Sequence, residues 1–91
     1  MKVVINVQYG GFDLSPDALN EYCIRKGLNE VSAYDIARDD EDLIDIIEKM
    51  GDKAAGAYCV LKIVDIPDDV KWTIQQYDGN EWVAEVHRTW M

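Results

Sequence analysis

Residues 66–90, IPDDVKWTIQQYDGNEWVAEVHRTW, constrain the fold of this chain more than any other segment. Two strand-like runs flank Asp78-Gly79-Asn80, a strong turn signal, so the segment predicts a β-hairpin. It also holds all three tryptophans. Side-chain parity bears on the loop length. With a three-residue loop, Asp78 to Asn80, Gln76 faces Trp82, Ile74 faces Ala84 and Trp72 faces Val86. Trp72, Ile74, Trp82, Ala84 and Val86 then share an apolar face. Lys71, Thr73, Gln75, Tyr77, Glu81, Val83, Glu85 and His87 fall on a mostly polar one. A two-residue loop mixes the two sets, so the longer loop is expected, with Gly79 or Asn80 at positive φ. On this register Arg88 and Trp90 extend the apolar face, and Arg88 lies opposite Val70. A guanidinium there needs a carboxylate or a ligand anion, because an unpaired buried charge is very costly.

Ahead of the hairpin, residues 2–9 alternate: Val3, Ile5, Val7 and Tyr9 point one way, and Lys2, Asn6 and Gln8 the other. That is the pattern of a half-buried strand, stopped by Gly10-Gly11. Ser15 and Pro16 open a helix as N-cap and first helical residue, and Asp17 suits the positive end of its dipole. Ala18, Leu19, Tyr22 and Cys23 form its apolar stripe, and Gly27 followed by Leu28 is a C-terminal stop. Residues 29–38 are irregular, with at most one short helical turn. Asp39 and Asp40 then offer caps for a second helix over 41–50, with Leu43, Ile46, Ile47 and Met50 on one stripe. Residues 57–66 are apolar on both faces, as in a central strand, and Pro67-Asp68-Asp69 turns into the hairpin.

The expected architecture is α+β, one domain over residues 1–91, in the order β-α-α-β-β-β. One four-stranded, mainly antiparallel sheet carries two helices on one face, and the first strand lies beside residues 57–66. Tryptophans, tyrosines and Phe12 are the large packing units expected of the core.

Composition narrows the function. Eighteen acidic residues against nine basic ones leave a net charge of −9. Such a surface repels phosphate backbones, so direct nucleic-acid binding is not expected; imitation of DNA toward a basic partner is an alternative. No apolar run is long enough to span a membrane or serve as a signal peptide, and a cytoplasmic location follows as the default. Cys23 and Cys59 are expected to remain buried thiols. His87 is the single histidine, no Cys-x-x-Cys is present, and the run Asp39-Asp40-Glu41-Asp42 lacks the ligand spacing and glycine of a calcium loop. No metal, cofactor or catalytic constellation is therefore expected.

A binding site is easier to assemble. Tyr9-Gly10-Gly11-Phe12 joins a strand end to a capped helix, where backbone amides favour anions and glycines let a ligand approach closely. Arg38 or Arg88 supplies charge, and Tyr9, Trp72 or Trp90 a stacking surface. Aromatics with arginine suit a nucleotide-like ligand. For most of these residues the plain alternative stands beside it: glycines for a turn and tryptophans for a core.

The stretches Tyr9-Gly10-Gly11-Phe12-Asp13-Leu14-Ser15 and IPDDVKWTIQQYDGNEWVAEVHRTW resemble a family of small proteins found mainly in bacteriophage genomes. The likeness spans nearly the whole chain, although Asp13 stands where the family pattern carries glycine. The resemblance implies an accessory protein made in infected bacteria, and it brings no catalytic residues with it. Counter-defence is the expected role. Its first form is capture of a nucleotide-like signal. Its second is an acidic inhibitor of a host protein, and a third is a small nucleotide-cleaving enzyme. Self-association through an outward Val83 or the apolar side of the 57–66 strand is a further expectation.

Overall fold

A computed structural model describes residues 1–86. The elements run β1 (Lys2–Asn6), α1 (Pro16–Lys26), α2 (Glu41–Met50), β2 (Leu61–Asp65), β3 (Trp72–Tyr77) and β4 (Asn80–Glu85), with single 3-10 turns at Ala33–Asp35 and Gly51–Ala54. His87, Arg88 and Trp90 lie outside the described residues.

Both helices begin and end where their caps dictate. The Ser15 hydroxyl accepts from the Ala18 amide, Pro16 opens α1, and Gly27 closes it at φ 68°. The amides of Gly27 and Leu28 both reach the Cys23 carbonyl, which satisfies the last turn. Asp40 caps α2 by accepting from the Asp42 and Leu43 amides at 2.8 and 3.2 Å. The same carboxylate accepts from the Tyr22 hydroxyl at 2.9 Å and faces the Lys26 ammonium at 3.4 Å, so a single side chain ties α1 to α2.

Burial raises the Asp40 pKa, but the Tyr22 hydroxyl, the Leu43 and Asp42 amides and Lys26 together hold it below its ordinary 3.8. Asp45, hydrogen-bonded by Arg25 and Lys49, is lowered as well, and so is Asp68 beside the amino group of Met1. A carboxylate whose folded pKa is depressed adds stability above its unfolded value and loses it as pH falls through the folded one. Stability should therefore decline as pH is taken downward from 3.8, and Asp40→Asn should shallow that decline. Urea midpoints across the acid range measure it; equal slopes in the two proteins would remove Asp40 from the account.

The sheet differs from expectation. Strand β1 pairs antiparallel with β2, Val4 opposite Ile63, as its proposed place beside residues 57–66 required. The hairpin β3–β4 forms a second, separate two-stranded sheet instead of continuing the first. The class is α+β, but there is no single four-stranded sheet among the described residues. At the end of β2 the Ile66 amide bonds to the Met1 carbonyl, continuing the pairing with β1, and Asp68 is drawn to the Met1 amino group. The outward amides of β1 are met by the Arg38 carbonyl at Val4 and by the Glu81 side chain at Asn6, not by the backbone of the hairpin. Residues 57–60 also fall outside the strand, and β2 is half-exposed rather than central.

The hairpin register is corrected too. Trp72 pairs with Glu85, Ile74 with Val83 and Gln75 with Trp82, so the loop is the two residues Asp78 and Gly79. Both have positive φ, 50° and 89°, the signature of the tight turn that matches strand twist. Trp72 and Trp82 therefore lie on opposite faces. Trp72, Ile74, Glu81 and Val83 are half-buried on one, so Val83 does not point outward; Trp82 is exposed on the other, its indole N–H donating to Gln75 Oε1 at 3.2 Å. The apolar ribbon face that framed Arg88 does not form.

The core sits between the helices and one face of β1–β2. Phe12, Leu14, Tyr22, Leu43, Ile46 and Ile47 pack around Val4, with Leu61 and Ile63 against them. Among the described residues, Phe12 and Tyr22 are the buried aromatics; Trp72 is half-buried and Trp82 exposed. Cys59 is buried, while Cys23 is half-buried; both are free. Strand β1 stops at Asn6 and is buried from Val3 onward on both faces, which alternation alone did not predict. No helix among the described residues is long and apolar enough to cross a membrane.

Candidate functional site

The Gly10–Gly11 loop and the tip of the hairpin touch. The Gly10 amide donates to the Asp78 carbonyl at 3.1 Å, and Gly79 at the hairpin tip lies flat on the Gly10–Gly11 backbone. A Cβ on Gly79 would sit 2.8 Å from the Gly10 nitrogen and 2.9 Å from the Gly11 Cα. On its other side Gly10 meets Tyr58, whose carbonyl and Cβ would lie 3.2 and 3.5 Å from an added Cβ. Gly10 is thus pressed between the hairpin tip and the Tyr58 backbone. Close approach of chain to chain, and not only of ligand to chain, accounts for Gly10 and Gly79.

Beneath this contact lies a polar knot. Asn6 is fully buried. Its Nδ2 donates to the Gln8 and Gly79 carbonyls at 2.7 and 2.8 Å, and its Oδ1 accepts from the Gln8 and Val60 amides at 3.2 and 3.1 Å. Glu81 reaches in from β4 and accepts from the Asn6 amide at 2.8 Å. Arg38 grips the same carboxylate with two donors, at 2.6 and 2.9 Å, and its guanidinium lies 3.6 Å above the Phe12 ring. The Arg38 carbonyl accepts from the Val4 amide, so this residue covers the free edge of β1 as well. All these polar groups are satisfied, which holds the hairpin in a fixed place.

Beside the knot opens a groove of about 390 Å³ lined by Gly10, Gly11, Phe12, Asp13, Tyr34, Ala57 and Tyr58. Tyr58 is 81% exposed and Tyr34 79%, the highest values among the large hydrophobic side chains of the described residues. Tyr34 stands on the short turn capped by Ser32, between buried Ala33 and Ile36. Among the described residues, Asp13 is the one charged side chain lining the groove. Its Oδ1 accepts from the Leu14 amide at 2.8 Å, and its side chain occupies the space a Cβ on Gly56 would need. Asp13 therefore adds a carboxylate to the wall. Nearby, burial raises the Cys59 thiol pKa, which disfavours the nucleophilic thiolate.

Of the residues singled out from sequence, Gly10, Gly11 and Phe12 line this groove. Phe12 is 2% exposed and serves the core as well. Tyr9 is exposed nearby but is not among the lining residues. Arg38 is committed to Glu81, and Trp72 sits on the inward face of the hairpin opposite Glu85. Arg88 and Trp90 fall outside the described residues. Sequence reasoning missed Asn6, Asp13, Tyr34, Tyr58 and Glu81. The small-residue run ending at Gly56 just before Tyr58, and the Ser32-x-Tyr34 cap, were the available signals of two presented rings.

No protein-family model, curated protein or solved structure matches this chain.

Proposed function

We propose that this chain is a non-enzymatic accessory protein of bacteriophage type that acts in the infected cell by engaging and obstructing a basic host protein. The observation that carries the reading is the groove beside the glycine loop. It presents two exposed tyrosines around a carboxylate, while Arg38, on the neighbouring Phe12 ring, is consumed by Glu81. Tyrosine-rich, acid-lined surfaces suit protein contacts with cationic partners, and the net charge of −9 steers such partners toward the chain. The likeness of the two end stretches to phage proteins supports the biological setting. Their mutual contact gives those stretches a structural reason to occur together.

A nucleotide-like signal is the second reading. The groove volume falls within the roughly 300–1,000 Å³ typical of small-ligand sites, and its two rings offer stacking surfaces. Among the described residues lining the groove, a phosphate there would face Asp13 and no cation.

Affinity capture from bacterial lysate, paired with calorimetry against cyclic dinucleotides and ADP-ribose derivatives, tests the two. The first reading expects a stoichiometric basic protein, released as salt rises from about 0.05 to 0.5 M, and no nucleotide heat. Saturable nucleotide binding without such a protein would overturn it in favour of the second.

A further inference from the structure

We propose that the Tyr34–Tyr58 groove is a receptor for a single arginine side chain of that partner, with the ring faces taking the guanidinium and Asp13 its charge. The inference rests on the binding-protein reading above and specifies its chemistry.

Three observations lead to it. First, the two most exposed large hydrophobic side chains of the described residues line one cavity, together with a single carboxylate. Exposed ring faces attract cations, and a carboxylate beside them completes recognition of a planar one.

Second, both rings stand on anchored backbone. Tyr58 is pressed against Gly10 and precedes the buried Cys59, whose amide bonds to the Gly56 carbonyl at 3.2 Å. Tyr34 follows buried Ala33, and its amide is held by the Ser32 hydroxyl. Aromatic side chains on a fixed backbone bind with little loss of entropy, which is how binding surfaces use tyrosine.

Third, the chain already builds this arrangement internally. Arg38 lies over the Phe12 ring at 3.6 Å with both Glu81 oxygens on its guanidinium, and Phe12 also lines the groove. Arginine is favoured over lysine because a delocalised planar cation stacks on rings and bonds a carboxylate through two donors, whereas an ammonium is a compact, strongly hydrated charge.

The probe is a capped peptide carrying one arginine between glycines, compared with its lysine counterpart, titrated into the full chain and followed by amide NMR shifts. The arginine peptide should shift the amides of Gly10, Gly11, Tyr34 and Tyr58 saturably, and bind several-fold more tightly than the lysine peptide. Tyr34→Ala, Tyr58→Ala and Asp13→Asn should each weaken it at least about threefold, and the two tyrosine changes together about tenfold. Ile24→Ala, an exposed side chain on α1 that does not line the groove, should leave it unchanged. Thermal midpoints identify any variant that loses its fold, and Tyr34→Ala, on a surface turn, keeps the test open if Tyr58→Ala does. Equal affinity for the two peptides, or arginine binding indifferent to Tyr34→Ala and Asp13→Asn, overturns the proposal. Capture of a basic lysate protein by the double tyrosine variant as well as by the parent would overturn this inference while leaving the binding-protein reading in place.

Discussion

Gly79→Ala is expected to destabilise the protein by about 3 kcal/mol or more, one of the largest effects open to a single methyl group. Two causes add. The backbone at position 79 has φ 89°, where an L side chain costs about 1–2 kcal/mol. The new Cβ would also meet backbone atoms of Gly10 and Gly11, which cannot rotate away as a side-chain tip can. The hairpin must lift, straining the Gly10–Asp78 and Asn6–Gly79 hydrogen bonds. Gly11→Ala is the matched control. It has a positive φ of 95°, but its Cβ would meet nothing within 4 Å, so only the backbone cost applies. At about 4–8 °C per kcal/mol for a domain of this size, thermal melts separate the two variants easily. If Gly79→Ala melts no lower than Gly11→Ala, the contact between loop and hairpin tip does not hold the fold.

Glu81→Ala should cost about 3–5 kcal/mol, because it strands the Arg38 guanidinium in a site that leaves only 18% of the side chain exposed. Arg38→Ala should be comparable: Glu81 is 9% exposed and would keep only the Asn6 amide. The cost reflects an orphaned charge more than the worth of the pair. Replacing both residues by methionine, which keeps volume and removes both charges, should therefore recover about half of either loss. A double-mutant cycle read by urea unfolding measures the coupling. Purely additive single effects would refute the account. The cycle also bears on function, since Arg38 is available to an incoming phosphate only after the knot is broken.

Much of the helical half was legible because its signals are local. Ser15-Pro16 and Asp40 start helices through their own side chains, Gly27 and Gly51 stop them, and the 3.6-residue stripe through Leu43, Ile46 and Ile47 names the buried face. The hairpin was legible as an element and misread in register. The parity argument kept both tryptophans inward and Glu81 outward. The two-residue turn that Asp78-Gly79 prefers required the reverse for Trp82 and Glu81. Burying Glu81 is tolerable only because Arg38 and the Asn6 amide wait for it, from parts of the chain more than forty residues away. The site divided in the same way: Gly10 and Gly11 were visible as unusual, but Tyr34, Tyr58 and Asp13 converge only once the chain is folded.

Where helices begin and end, that a tight turn forms at Asp78-Gly79, and that the surface is strongly acidic were settled by the amino acids themselves. Each depends on neighbours within a turn or on a simple sum of charges. Which face of the hairpin is buried, that it stands apart from the first sheet, and that two tyrosines come to flank one carboxylate were decided by the tertiary structure. These follow from partners far apart in the chain, and a buried charge is permitted or forbidden by its partner, not by its own identity.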